Sequence, residues 1–136
     1  YLSMEDTKGA LAELNSAIAL DGKNPDAYFN RALIKESNKD YDGAIQDYNK
    51  VVALNPKDAI AFYNRASCKG GLDDYGAGVA DMDQAITLDP KNPSYFKQRG
   101  NFYYQIDEKE KACFDWRKAV ELGDSKARFS IDSYCK

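Results

Sequence analysis

Three similar stretches decide the fold of this chain: YFNRA at residues 28–32, FYNRA at residues 62–66 and FKQRG at residues 96–100. Each copy starts 34 residues after the one before it. Every copy ends in Ala or Gly, and a small residue at this place lets two helices pack closely while large neighbours fill the space around them. A fixed period of this length indicates stacked units that bury their apolar faces against one another.

A second pattern predicts another helix in the second half of every unit. Between residues 44 and 52, apolar side chains recur at the spacing of one helix face. Asn24 and Asn92 each precede a Pro, an order typical of a helix start. We therefore expect each unit to be two antiparallel helices, helix A and then helix B. Carboxylates, which stabilise a helix N-terminus, stand where each helix B should begin; they are Asp6, Asp40 and Asp74.

The composition of the 136-residue chain excludes several classes of function. No stretch of about 18 consecutive apolar residues occurs, so neither a transmembrane helix nor direct membrane insertion is expected. The formal net charge is −3 and no basic face is concentrated in the sequence, which argues against nucleic acid as a partner. The chain has no His, the commonest general base and the commonest zinc ligand. We therefore expect no metal site and no cofactor.

The cysteines Cys68, Cys113 and Cys135 are odd in number and have no close spacing. This pattern fits neither a disulfide framework nor a CxxC metal site, so we expect three free thiols packed as small hydrophobic residues. Free thiols favour a reducing compartment such as the cytoplasm. The chain starts at Tyr1 rather than Met, so a removed export signal, and with it a secreted or periplasmic location, stays open.

The 34-residue period, the small residues Ala32, Ala66 and Gly100 and the large residues Tyr48 and Trp116 resemble the tetratricopeptide repeat family. The resemblance covers nearly the whole chain. It implies an all-α, right-handed superhelical solenoid of about seven or eight helices that forms a single array over residues 1–136. We divide the array into a partial first repeat at 1–24 (the end of a helix A and a complete helix B), full repeats at 25–58, 59–92 and 93–124, and a C-terminal capping helix at 125–136.

The arginines of the three stretches suggest a ladder of ion pairs that fixes the stacking of the repeats. Arg31, Arg65 and Arg99 share one position on helix A, and acidic residues share one position on helix B, 16 residues later. Antiparallel helices could bring the two rows together, and the planar fork of Arg suits a carboxylate. The alternative is two rows of solvated charges worth at most about 1 kcal/mol per pair. The acidic residues are Asp47, Asp81 and Asp115, with Glu13 at the matching place in the partial repeat.

In the resembled family the A helices line a concave face that commonly holds a peptide or a partner segment. Amide side chains on this face could bond the backbone of an extended peptide, because an amide both donates and accepts. Aromatic side chains could supply buried contact area. The alternative is that the amides hold the repeats together and the aromatics belong to the core. Carried onto this chain, the predicted peptide-binding residues are Phe29, Asn30, Leu33, Tyr63, Asn64, Lys97, Gln98, Asn101 and Tyr104.

One branch of the family holds the C-terminal tail of heat-shock chaperones with a clamp of Lys, Asn and Arg side chains around the terminal carboxylate. The clamp positions correspond here to Phe29, Leu33, Asn64, Ser94 and Gln98, of which only Asn64 matches. The cations of the clamp are missing, so we expect a bound peptide to depend less on a terminal carboxylate.

The resemblance implies a non-catalytic scaffold or adaptor whose partner is a protein or an extended peptide segment. Catalysis by Asp47, Asp81 and Asp115 is disfavoured, because residues repeated once per unit do not face a single substrate. Two alternatives stay open. The partial first repeat leaves its helix B without a partner helix, which favours self-association, for example as a homodimer, through the N-terminal end. The chain can also be a regulatory segment of a larger protein.

Overall fold

The computed structural model describes residues 4–135, and this part of the chain contains eight α-helices and no strand. Helices adjacent in sequence pack against each other along the whole array, which confirms the all-α solenoid. The predicted end of a helix A before the first helix B falls on residues 1–3, outside the described residues. The helices are α1 (Met4–Leu20), α2 (Pro25–Ser37), α3 (Tyr41–Leu54), α4 (Ala59–Gly71), α5 (Tyr75–Leu88), α6 (Pro93–Gln105), α7 (Lys109–Glu121) and α8 (Ala127–Tyr134).

Helices α2, α4 and α6 are the A helices, and α3, α5 and α7 are their B partners. The Asn before each helix-starting Pro accepts a backbone N–H two residues later at 3.0 Å, and Asp40 accepts one three residues later at 3.0 Å. Asp74 also stands at an N-cap position, but its side chain makes no capping hydrogen bond. Asp6 lies in the first turn of α1, which begins at Met4, so its carboxylate stands at the N-terminal end of this helix B as expected.

Every turn from helix A to helix B has the same backbone conformation. Lys39, Asp73 and Asp107 have φ angles of 62°, 60° and 64°, in the left-handed region. In each turn the following backbone N–H donates to the carbonyl five residues earlier, at 2.8–2.9 Å. This arrangement satisfies a carbonyl that the helix end leaves free. It reverses the chain within a few residues and sets helix B antiparallel to helix A.

Small residues lie where the helices cross. Ala66 on a helix A and Ala112 on a helix B are fully buried. The ring of Phe102 lies against Gly70 of α4 and Gly78 of α5, and a Cβ added to either glycine would come within 2.7 Å of the ring. The missing side chains therefore make room for an aromatic residue of the next repeat, which joins the two units in one core.

Helix α1 is less buried than the other B helices. At one position of helix B, Tyr48, Met82 and Trp116 are at most 2% exposed, whereas Leu14 at the equivalent position is only half-buried. Leu20, at the end of α1, is 89% exposed. Within the described residues α1 packs mainly on α2, so one apolar side of α1 stays open.

The expectation of three free thiols was wrong, because Cys113 of α7 and Cys135 after α8 form a disulfide. Their Cα atoms are 5.8 Å apart. Helix α8 folds back on α7 and buries Ala127 completely. Only Cys68 is a free cysteine, and it is buried. The argument for a reducing compartment is lost with the free thiols, since disulfides persist mainly in oxidising compartments.

Candidate functional site

The ladder of Arg–carboxylate pairs is confirmed. In each full repeat the Arg Nε and Nη2 donate to both carboxylate oxygens of the Asp 16 residues later, at 2.6–2.9 Å. The three aspartates are at most 4% exposed. The Nη1 of each Arg donates to helix B of the preceding repeat, so each guanidinium joins two repeats. These further acceptors are Asn15, Asn49 and Asp83, at 2.8–3.0 Å.

Sequence reasoning missed the second cation that two of the aspartates hold. The ammonium groups of Lys35 and Lys69 lie 3.2 and 2.9 Å from the carboxylates of Asp47 and Asp81. Both lysines follow the ladder arginine by four residues, and this recurrence in the sequence was a pattern from which the second cation could have been predicted. Tyr103 occupies the equivalent position of the third full repeat, so the third aspartate lacks this lysine.

In the third full repeat, the attraction between Arg99 and Asp115 opposes the energetic cost of burying the Asp115 carboxylate. The hydrogen bonds to Asp115 raise the pKa of Arg99 above its ordinary value. Burial raises the pKa of the Asp115 carboxyl, and the guanidinium of Arg99 opposes that rise. The carboxylates of the ladder aspartates are therefore already paired with cationic side chains of the protein, and their role is structural. Glu13, at the matching place of α1, is exposed.

Four of the predicted peptide-binding residues line one cleft of about 520 Å³. The cleft lies between α4, α6 and the turn before α8, and we call it the α4–α6 cleft. Tyr63 comes from α4, while Lys97, Gln98 and Asn101 come from α6. The other lining residues are Pro93, Ser94, Gly123, Asp124 and Lys126.

The polar groups of the α4–α6 cleft differ in how far the protein already satisfies them. Asn101 accepts a hydrogen bond from the indole N–H of Trp116 at 2.9 Å. The amide of Gln98 reaches the Ser67 hydroxyl only at 3.5 Å, the limit of a hydrogen bond. No ion pair involves Lys97 within the described part of the chain. Lys97 and Gln98 therefore keep hydrogen-bonding capacity that a ligand could use.

The other predicted residues lie outside this cleft. Phe29 lines a separate cavity of about 190 Å³. Tyr104 lines one of about 430 Å³ together with Tyr134 of α8, and the two rings are 4.5 Å apart. Asn30 and Leu33 are exposed and line none of these three cavities.

Asn64 belongs to a polar cluster between α2, α3 and α4 that the sequence did not reveal. The hydroxyl of the fully buried Tyr48 donates to Glu36 at 2.9 Å. The Cys68 thiol, near Glu36, and the Asn64 amide, near the Tyr48 hydroxyl, complete the cluster. Burial, reinforced by the charge of Glu36, raises the pKa of Cys68 to about 12 and also raises that of Tyr48. Both groups therefore stay protonated near neutral pH.

Two kinds of function find no support in the described residues. Within residues 4–135 no three His, Cys, Asp or Glu side chains are arranged to hold a metal ion. None of the helices in that part of the chain has the length and apolar character needed to cross a bilayer.

Two family models that describe the tetratricopeptide repeat match the chain, one at residues 25–58 and one at residues 59–92. Together the two matches make up half of the sequence. No protein among the curated sequences matches the chain.

Solved structures of similar fold include two of MamA. One crystal structure of MamA has a TM-score of 0.85 at 20% identity, over 90% of this chain and 76% of that chain. A MamA fragment from Desulfovibrio magneticus has a TM-score of 0.82 at 25% identity, over 90% of this chain and 71% of that chain. A third similar structure is the first TPR of Spaghetti (RPAP3), bound to the HSP90 peptide SRMEEVD. It has a TM-score of 0.79 at 20% identity, over 85% of this chain and 93% of that chain.

Proposed function

Because this chain belongs to the tetratricopeptide repeat family, we propose that it is a non-catalytic scaffold that binds an extended peptide segment in the α4–α6 cleft. The observation that carries the proposal is the cleft itself. It places an aromatic ring, two amides and two lysines on one surface, and the side chains of Lys97 and Gln98 have spare hydrogen-bonding capacity. An extended peptide offers alternating N–H and C=O groups that such amides can pair with.

The similar structure of the first TPR of Spaghetti (RPAP3), which holds a peptide, supports a peptide ligand. That peptide ends in an acidic residue, whereas this chain has Phe29, Leu33, Ser94 and Gln98 at four of the clamp positions. We therefore propose that an internal segment of a partner binds here, rather than a free C-terminus.

We expect the double substitution Lys97→Ala and Gln98→Ala to weaken peptide binding by about tenfold or more, the effect of losing two ligand hydrogen bonds. A phage library of short random peptides, selected on the wild-type protein, supplies the probe. Fluorescence anisotropy then measures the affinity of a selected peptide for both proteins. This variant is cleaner than Tyr63→Ala or Asn64→Ala, because Tyr63 packs against the core and Asn64 belongs to the Tyr48 cluster.

The matched control is Lys50→Ala, which removes an exposed lysine of α3. It should bind the peptide as the wild type does. Equal affinity of the double variant and the wild type would move the binding site off the α4–α6 cleft. Failure of the wild-type protein to select any peptide would contradict the proposed function.

Self-association through α1 is a second candidate, which the half-open apolar side of α1 favours. A second copy that covers Leu14 would bury it as Tyr48 and Met82 are buried at the equivalent positions. Light scattering over a range of concentrations should then report a dimer for the wild type and a monomer for Leu14→Gln. A wild-type monomer at all concentrations would rule this candidate out.

A further inference from the structure

A cavity of about 410 Å³ lies beside the Cys113–Cys135 disulfide, and both cysteines line it. It is separate from the α4–α6 cleft, since the two share no lining residue. The other lining residues are Lys109, Glu110 and Arg117 of α7. Lys109, Cys113 and Arg117 follow one another at intervals of four residues. One face of α7 therefore places a cation one turn before and one turn after the Cys113 side chain.

The lining of this cavity carries more positive than negative charge. Glu110 is the only acid among the described residues that line it, against two cations. Lys109 and Arg117 are exposed, and among residues 4–135 no ion pair includes either of them. Charges of one sign on the wall of a cavity raise the local concentration of ions of the opposite sign. A small molecule that carries carboxylates is therefore drawn to the disulfide.

The two sulfurs of the disulfide differ in access and in surroundings. Cys113 is 6% exposed, whereas Cys135, just after the end of α8, is half-buried. An incoming thiolate therefore reaches Cys135 more easily. Cys113 then leaves as a thiolate between the two cations of α7. Nearby cations stabilise a thiolate and make it a better leaving group, so exposure and charge favour the same direction of attack.

We propose that this cavity is a site where a small acidic thiol, of the chemical class of glutathione, binds and opens the disulfide. The carboxylates of the small thiol lie against Lys109 and Arg117. The thiol loses its proton to water, and its thiolate attacks the sulfur of Cys135.

The bond between Cys113 and Cys135 breaks as a mixed disulfide forms between Cys135 and the small thiol. The electron pair of the broken bond leaves with Cys113 as a thiolate. One disulfide is exchanged for another, so the step needs no other oxidant or reductant. The product carries a modification on Cys135, and α8 loses its covalent tie to α7.

The test compares glutathione, which carries a net negative charge, with cysteamine, a cationic thiol, on the oxidised full chain. Mass spectrometry after alkylation gives the rate at which each thiol opens the disulfide. In the double variant Lys109→Gln, Arg117→Gln, the ratio of the glutathione rate to the cysteamine rate should fall by about tenfold, the lower end of the effect of focused charge on encounter rates. Because both thiols displace Cys113, the ratio cancels any change in the leaving sulfur. Peptide mapping of the wild type should place the glutathione adduct on Cys135.

The matched control is Lys111→Gln, Lys118→Gln, which removes two other cations of α7 that do not line the cavity. The control should keep the wild-type ratio, and a thermal midpoint close to that of the wild type shows that each variant is folded. An unchanged ratio in the first variant, an equal fall in the control, or an adduct on Cys113 instead of Cys135 would overturn the proposal. A wild-type disulfide that glutathione does not open would overturn it as well.

Discussion

Replacing Arg99 with Met is expected to lower the free energy of unfolding by about 3–5 kcal/mol, the cost of leaving a buried charge without its partner. Asp115 is 1% exposed, and both of its carboxylate oxygens accept from Arg99. Met retains much of the apolar stem of Arg99 but loses the guanidinium carbon, which lies 5.5 and 5.7 Å from the ring centroids of Phe96 and Tyr103. Urea unfolding followed by tryptophan fluorescence measures the loss, since the only Trp of the chain is Trp116.

The second repeat supplies a matched control. Arg65→Met leaves Asp81 with the ammonium group of Lys69 at 2.9 Å, so its loss of stability should be clearly smaller than that of Arg99→Met. Replacing Asp115 with Leu in the Arg99→Met background removes the unpaired charge and should recover most of the stability. Equal losses in the two single variants, or a double variant no more stable than Arg99→Met, would contradict the electrostatic explanation.

The loss of unfolding free energy caused by Arg99→Met should depend on pH. Burial raises the pKa of Asp115, and the substitution removes the guanidinium that opposes this rise. An Asp whose pKa is higher in the folded protein than in the unfolded chain destabilises the fold above the folded pKa. The destabilisation shrinks as the pH falls through the folded pKa towards the ordinary value of Asp. The difference between variant and wild type should therefore be largest at neutral pH and smaller in mild acid.

Most of the fold was predictable from the 34-residue period of the sequence. Arg31 and Asp47 recur together at 34-residue intervals, and antiparallel hairpins bring residues 16 apart side by side, so the ladder was predictable from spacing alone. The second acceptors and the extra lysines recur with the same period. Their partners depend on how neighbouring hairpins stack, and a one-dimensional pattern does not specify that geometry.

The binding face was harder to predict from the sequence, because residues at equivalent positions of different A helices do not have the same surroundings. Tyr63 and Lys97 meet in one cleft, whereas Phe29, from the equivalent position of α2, lines another. Tyr104 packs against Tyr134 of α8, a segment outside the repeat pattern whose position no period could set. The Glu36 cluster likewise joins three helices through side chains that do not recur.

Removing the Cys113–Cys135 disulfide is expected to destabilise α8 by about 3 kcal/mol, the entropy that such a bond removes from the open chain in the loop-closure model. The two cysteines are 22 residues apart, and the bond ties α8 to α7. Without it, α8 is held mainly by the burial of Ala127, by Ile131 and by the contact of Tyr134 with Tyr104. An eight-residue helix is too short to be stable by itself in water, so α8 should open locally while the rest of the array stays folded.

Three measurements on the Cys113→Ser, Cys135→Ser variant test this expectation. Amide hydrogen exchange should speed up in α8 and remain slow in α4 and α5. The emission of Trp116, whose ring lies 6.0 Å from that of Tyr134, should shift to longer wavelength as α8 moves away and water enters. A reducing agent should produce the same changes in the wild type and none in the variant, because the remaining Cys68 forms no disulfide. A wild type whose mass and α8 exchange do not respond to the reducing agent would show that no disulfide fastens the end of the array. Burial of Ala127 and its neighbours would then have to hold α8 alone, and residues 127–134 would exchange at the same rate in both proteins.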